Sequence, residues 1–247
     1  MKNGNEKGSD MLKIEGISKS FTGVKAVNNI SLDIPRGRIF GLLGPNGAGK
    51  TTTLRMIMNI IQPDSGHILI DGIPGERYDH SRIGYLPEER GLYQKAVVRD
   101  VVEYFAKLRS MTAADAKSSA SYWFSRLQIG ELADKKVYEL SKGNQQKVQF
   151  LIAVINDPQL MILDEPFTGL DPINQKILRD IMKDFKVQDR TVILSTHLMA
   201  KVEENCDYLC LIHRGEVKAQ GATQDIKTQY GGSLDEAFIA LAGEKIE

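Results

Sequence analysis

Apolar residues follow two different rhythms along this chain, and the switches between them mark out its elements. Over residues 11–35 they alternate loosely, with Leu12, Ile14 and Ile17 followed by a second run at 27–34, and Pro35-Arg36-Gly37 closes the segment. Alternation turns one face of a strand inward, so this region is expected to form an antiparallel β-layer. Residues 39–43 (IFGLL) are short and apolar throughout, the pattern of a buried strand. A helical period follows over 52–61, with Leu54, Ile57, Met58 and Ile61 on one face. Gln62-Pro63-Asp64-Ser65-Gly66 is a turn into an alternating strand at 67–71. A further short strand at 83–86 runs into the charged loop Pro87-Glu88-Glu89-Arg90-Gly91.

From 97 to about 130 the period is helical, with Val98, Val101, Val102, Phe105 and Leu108 in one stripe. Thr112-Ala113-Ala114-Asp115 has the form of a capping box, with Asp in place of Glu, and opens a second helix packed through Tyr122, Trp123, Phe124 and Leu127. A third helix starts behind Ser141 as its cap, continues to about 155, and is ended by Pro158. This run interrupts the strand–helix alternation and is read as a helical insertion over 92–158.

Alternation then resumes. Residues 160–165 (LMILDE) form a buried strand ending in two carboxylates. Asp171 caps and Pro172 starts a helix striped by Ile173, Ile177, Leu178, Ile181 and Phe185. Strands follow at 191–196 and 208–212, a turn at Arg214-Gly215, and a short amphipathic helix at 234–241. The expected fold is α/β: a mainly parallel sheet, an N-terminal antiparallel β-layer and an inserted helical subdomain. One domain spans 11–230, with its core at 11–91 and 159–230. Residues 1–10 form a flexible tail, and the short helix falls within 231–247.

Composition narrows the classes. At 247 residues, 42% hydrophobic and 26% charged, the chain fits a soluble globular protein of one large domain. Its 32 basic and 32 acidic residues cancel, so no net basic field draws it to nucleic acid or an anionic membrane surface. The longest apolar run, 150–155, falls far short of the ~20 residues that span a bilayer, and the polar N-terminus lacks a secretory apolar core. Cys206 and Cys210 offer neither a disulfide framework nor a metal-ligand spacing, and are expected to be buried thiols of a cytoplasmic protein.

The chemistry concentrates at strand ends. Gly44-Pro45-Asn46-Gly47-Ala48-Gly49-Lys50-Thr51 is G-x-x-x-x-G-K-[ST] between an expected strand and helix, with Thr52 next in line. Glycines let the backbone wrap closely around phosphate oxygens, and the helix N-terminus adds partial positive charge. Lys50 is expected to reach the β- and γ-phosphates of ATP, and the Thr51 hydroxyl to ligate Mg²⁺. Asp164 ends a strand where α/β sheets bind ligands, and suits Mg²⁺ opposite Thr51. Glu165 suits orienting or deprotonating the attacking water. His197, just past the strand at 191–196, is placed to hydrogen-bond the γ-phosphate and the water. Phe21, 23 residues before the loop, is a candidate for stacking on adenine.

Taken together, these motifs resemble the ATPase subunit of an ABC transporter over residues 11–230. Gly44 to Thr51 is similar to Walker A, and residues 160–165 to Walker B with its catalytic glutamate. Gly169-Leu170-Asp171 is similar to the D-loop, His197 to the switch histidine, and Phe21 to the adenine-stacking aromatic. Residues 140–145 (LSKGNQ) stand where the family carries LSGGQ, with Ser141 and Gly143 kept, Lys142 for a glycine and Asn144 for glutamine. Glu88 stands where the family usually has the Q-loop glutamine, and still offers an oxygen to Mg²⁺. PEERGLY at 87–93, the signature variant and LDEAF at 234–238 resemble the sodium- and drug-export, ABC-2-type branch.

The resemblance implies a P-loop NTPase core of RecA-like fold and ATP with Mg²⁺ as cofactors. It also implies a dimer in which Ser141 and Gly143 of one copy cover the ATP of the other. A separate membrane permease on the cytoplasmic face would take the work, for export. The alternative is a soluble ATP switch acting on ribosome or nucleic acid, whose relatives usually carry two cassettes or a long coiled coil.

Overall fold

The computed structural model describes residues 10–89 and 91–243. All of the expected tail except residue 10, Arg90 of the charged loop and the last four residues of the expected C-terminal segment lie outside the described residues.

In chain order the elements are β1 (Asp10–Phe21), β2 (Val24–Pro35), β3 (Ile39–Leu43), α1 (Lys50–Ile57), β4 (Ser65–Ile70), β5 (Ile73–Pro74), β6 (Ile83–Leu86), α2 (Val98–Leu108), α3 (Ala113–Arg126), α4 (Lys142–Val154), β7 (Leu160–Asp164), α5 (Pro172–Val187), β8 (Thr191–Thr196), α6 (Met199–Asn205), β9 (Tyr208–His213), β10 (Glu216–Ala222), α7 (Thr223–Gln229) and α8 (Leu234–Ala242). They divide into two compact units, Met1–Tyr78 with Phe185–Glu247, and Asp79–Asp184.

The first unit holds two sheets. β2, β1, β4 and β5 form the antiparallel layer expected from the alternation, with Leu12 opposite Ile34 and Ile70, and Ile14 opposite Leu32 and Ile68. Each of these side chains is buried, so the inward-facing set of all three long strands is one continuous apolar surface. The second sheet places β3 between β9 and β8, parallel to both, with β10 antiparallel on the outer side of β9. β3 and β8 are buried along their whole length, which is why β3 reads as an unbroken apolar run and β8 as an apolar centre flanked by buried Thr191, Ser195 and Thr196 rather than as an alternation. Cys206 and Cys210 are buried, as expected.

Boundaries shift where local chemistry outweighs the period. α1 begins at Lys50 and stops at Ile57, earlier at both ends than the pattern at 52–61. Asn59 adopts a positive φ of 55°, which ends the helix, and leaves Ile60 exposed and Ile61 half-buried. α6, β10 and α7 were not evident from periodicity; β10 in particular has no buried residue to set a rhythm.

The second unit pairs β6 with β7 in parallel and packs α2, α3, α4 and α5 up to its end at Asp184. The Thr112 hydroxyl caps α3, accepting from the Asp115 amide at 3.1 Å while donating to its carboxylate at 2.7 Å. Trp123 meets Phe150 edge-on at 6.3 Å between ring centres, joining α3 to α4. Arg109 donates to the Ala153 carbonyl at 3.1 Å and to Asn156, satisfying the C-terminal end of α4. Burial pushes the Arg109 pKa down from its ordinary value. On α5, Leu178 and Ile181 are buried, but Ile173, expected in the same stripe, is exposed in the first turn.

Candidate nucleotide site

In the first unit the loop between β3 and α1 is packed so closely that side chains are excluded. A Cβ at Gly44 would lie 2.1 Å from the Ile212 carbonyl, and one at Gly49, whose φ is +104°, 2.4 Å from the Ala26 carbonyl. The loop is also tied from behind. The Gly215 amide donates to Ala48 O at 2.9 Å, and Gly215 O accepts from Asn28 at 2.8 Å. Lys50 is buried, and its Nζ donates to Gly44 O at 2.7 Å and Pro45 O at 3.1 Å, closing the loop on itself. α1 has no acidic residue in its first turn and no side-chain cap on Gly49, so its own sequence leaves its positive end to an anionic ligand. Asn46 and Gly47 at the loop's crest are exposed, whereas Thr51 and Thr52 are half-buried.

Register brings His197 to the same edge. Leu43 pairs with Thr196 across β3 and β8, so the next residue on each strand, Gly44 and His197, leaves the sheet at one level. Phe21 ends β1 opposite Val24, where β2 begins; three residues on, the Val27 side chain and Ala26 carbonyl border Gly49. The Phe21 ring is 44% exposed, with Lys19 Nζ 5.7 Å from its centre, and is therefore a surface aromatic rather than a core one.

The second unit repeats this logic with acids. Leu86 pairs with Leu163 across β6 and β7, so Asp164 and the loop holding Glu88 emerge from the same end. Asp164 is 1% exposed and Glu165 6%, whereas Glu88 is on the surface. Glu165 has a φ of +48°, so the chain turns sharply at the strand end, and its carbonyl accepts from Thr168 at 3.3 Å. Such a conformation in a non-glycine residue costs ~1–3 kcal/mol and needs surrounding structure to hold it. Ser141 caps α4, its hydroxyl accepting from the Asn144 amide at 3.3 Å. A Cβ at Gly143 would lie 3.2 Å from the Gly169 carbonyl, so the signature turn and the Gly169-Leu170-Asp171 turn are in near contact. Asp171 caps α5 through the Asn174 amide at 2.9 Å, and that bond holds its carboxyl below the usual range.

The expected residues divide between the units: Gly44 to Thr52, His197 and Phe21 belong to the first, and Glu88, Asp164, Glu165, Ser141 and Gly143 to the second. The pattern overlooked the polar face of α4. Gln146, Lys147 and Gln149 are buried, and their side chains donate to backbone carbonyls of other segments. Their signal was visible as a polar run at 144–147 and 149 just ahead of the apolar run at 150–155.

Known proteins carry the same pattern. The model of the ABC transporter family matches residues 27–168, more than half of the chain. The ABC transporter ATP-binding protein YhaQ of Bacillus subtilis is 46% identical over 221 residues, covering 90% of this chain and 74% of that one. The ABC transporter ATP-binding protein NatA of the same organism is 36% identical over 207 residues, 82% of this chain and 84% of its own. Among solved structures, an ATP-binding subunit of an ABC transporter superposes with a TM-score of 0.87 at 30% identity, covering 94% of this chain and 99% of that one. With the loop after β3, the acidic end of β7 and these likenesses agreeing, the chain belongs to the ABC transporter family as an ATP-binding ATPase subunit.

Proposed function

We propose that two copies of this chain sandwich ATP, hydrolyse it, and drive export through a separate permease on the cytoplasmic face of the membrane. The observation that carries this reading is the loop after β3, where close backbone packing at Gly44 and Gly49 and a helix N-terminus with no acidic residue in its first turn form a cradle for phosphate. Gly44 to Thr52 bind the phosphates and Phe21 stacks on the base. Lys50, already aimed across the loop, turns its ammonium to the β- and γ-oxygens.

Each unit offers hard oxygen ligands that suit Mg²⁺: the Thr51 hydroxyl in the first, and the Asp164 and Glu88 carboxylates in the second. When bound, the ion neutralises charge on the β- and γ-phosphate oxygens. Glu165, one residue past Asp164, accepts a proton from the attacking water. His197 donates to the γ-phosphate and steadies that water. Ser141 and Gly143 of the second copy cover the γ-phosphate, so closure depends on ATP and its hydrolysis reopens the pair.

Support for a permease comes from the surface after the Glu88 loop. Tyr93, Tyr104 and Phe105 cluster there with ring centres 5.4–6.4 Å apart, and Tyr93 and Tyr104 are exposed. Exposed aromatics of this kind favour partner binding. Support for export comes from relatives of about one-third identity. They are a Nod factor export ATP-binding protein of Paraburkholderia xenovorans and a lantibiotic transport ATP-binding protein of Streptococcus pyogenes.

Glu165→Gln tests the catalytic assignment. Turnover should fall by about 10²–10⁴-fold while ATP binding persists; wild-type turnover in this variant would remove Glu165 from the role. The same variant, loaded with Mg-ATP and recovered from gently solubilised membranes, should bring a polytopic protein in stoichiometric yield. A soluble dimer without one would refute the permease.

A further inference from the structure

α4 uses polar side chains where its inward face requires apolar ones, and each reaches a different stretch of backbone. Gln145 Nε2 donates to Val137 O and Leu140 O at 3.2 Å, and Lys147 Nζ to Leu127 O at 3.1 Å. Gln149 Nε2 donates to Glu89 O at 3.0 Å and, more weakly, to Pro87 O at 3.4 Å. These two carbonyls bracket Glu88. Both partners and Gln149 itself belong to the second unit, as does Asp164.

Gln149 is nine-tenths buried, and its Oε1 has no hydrogen-bond partner among the described residues. Exchanging the amide oxygen and nitrogen would not cure this, because the two carbonyls would then face an acceptor. A buried amide satisfied at one end only is a poor source of folding stability, and an apolar side chain of equal length would avoid the orphaned oxygen. What this side chain does accomplish is to hold the backbone on both sides of Glu88 against the helix that starts at Ser141.

We propose that Gln149 is a positioning residue for the reaction: it fixes the Glu88 loop to α4, so that the loop's carboxylate keeps one position relative to the end of β7 and moves together with the Ser141–Gly143 turn. This rests on the proposed part of Glu88 in metal binding.

The test is Gln149→Met, which keeps length and removes both donors together with the orphaned acceptor. The full chain is assayed three ways. Cleavage after Glu88 or Glu89 by a glutamate-specific protease reads the open population of the loop and should rise about five- to tenfold, the worth of one good and one weak hydrogen bond. The melting temperature should stay or rise. ATP turnover should fall several-fold at saturating ATP with KM for ATP unchanged, because the phosphate cradle's own backbone contacts, to Ile212, Ala26 and Gly215, are all made within the first unit. In a Glu88→Ala background, Gln149→Met should cost no further turnover, since the two act through one group.

Unchanged cleavage would overturn the anchor. Faster cleavage with wild-type turnover would overturn its part in the reaction, as would full additivity with Glu88→Ala. A marked loss of melting temperature would reassign Gln149 to folding. Gln149→Leu provides a second reading, and failure of both variants to fold would also overturn the proposal. Should Glu88→Ala itself leave turnover untouched, the role of Glu88 fails, while the cleavage rates still judge the anchor.

Discussion

Gly49→Ala and Gly47→Ala form a matched pair that isolates the effect of close packing around the phosphate loop. Both glycines have left-handed backbones, with φ of +104° and +78°. An alanine in that region costs ~1–2 kcal/mol. At Gly47 the new methyl meets nothing within 4 Å, so the strain is the whole penalty. At Gly49 it would lie 2.4 Å from Ala26 O and 3.4 Å from the Val27 side chain. The atom in the way is backbone of β2, which cannot rotate aside, and shifting packed backbone adds ~1–3 kcal/mol. The totals are therefore about 1–2 kcal/mol for Gly47→Ala and about 2–5 kcal/mol for Gly49→Ala.

For a chain of this size each kcal/mol lowers the melting temperature by ~2–4 °C. Gly49→Ala should then melt roughly 4–20 °C below the wild type, and Gly47→Ala about 2–8 °C below. Calorimetry on the nucleotide-free chain reads the first effect, and titration with a fluorescent ATP analogue reads the second. Gly47→Ala should weaken analogue binding at least about tenfold despite its mild melt, because its methyl enters the open space over the loop. Equal melting temperatures for the two variants would refute the packing argument. Undiminished analogue binding by Gly47→Ala would refute the phosphate cradle.

Lys50→Ala should weaken nucleotide binding by well over tenfold in a calorimetric titration, since an ammonium hydrogen bond is worth ~1.5–3 kcal/mol. It should also loosen the loop in the absence of nucleotide, because the bonds to Gly44 O and Pro45 O are lost. Glu203 predicts a pH dependence. Burial pushes its carboxyl up, but the Leu234 amide at 2.6 Å and the Lys227 ammonium at 2.9 Å more than offset this and leave it lowered. A depressed carboxyl contributes stability that is complete above its ordinary value of 4.5 and is lost as pH falls through the lowered one. The exchange protection factors of α8, whose first residue it holds, should therefore fall in acid once the intrinsic pH dependence of exchange is divided out, and Glu203→Gln should show the lowered protection at neutral pH as well. Pulsed exchange followed by mass spectrometry checks both.

The site was legible wherever chemistry and chain order coincide. Gly44 to Thr51 joins one strand to one helix in a single loop, so its residue types are forced by backbone shape and stand together in the sequence, even though Ile212, Ala26 and Gly215 complete its packing. Asp164 and Glu165 were legible because two acids ending an apolar run stand out against a buried strand. The β1–β2 hairpin was legible from its alternation, since one face is buried and the other wet. Legibility failed where tertiary contacts decide. β10 is half-covered all along, so burial gives it no period. α1 ends early because Asn59 takes a left-handed turn, a local choice that outweighs the apolar Ile60 and Ile61. Gln149 reads in the sequence as one polar residue among several. Its meaning lies in carbonyls some sixty positions away.

The two thiols give the fold an internal reporter. Cys206 follows α6 and Cys210 lies in β9 opposite Leu42 of β3, and burial drives both thiols far above their ordinary acidity range. Only a thiolate reacts with maleimides or oxidants, so the closed molecule is silent to such reagents. Reaction counts molecules in which β9 has come away from β3, the strand that carries the phosphate loop. A ligand bound only by the closed form slows that reaction by the factor 1 + [L]/Kd. The unmodified chain can thus report its own nucleotide affinity through the rate at which its cysteines are alkylated.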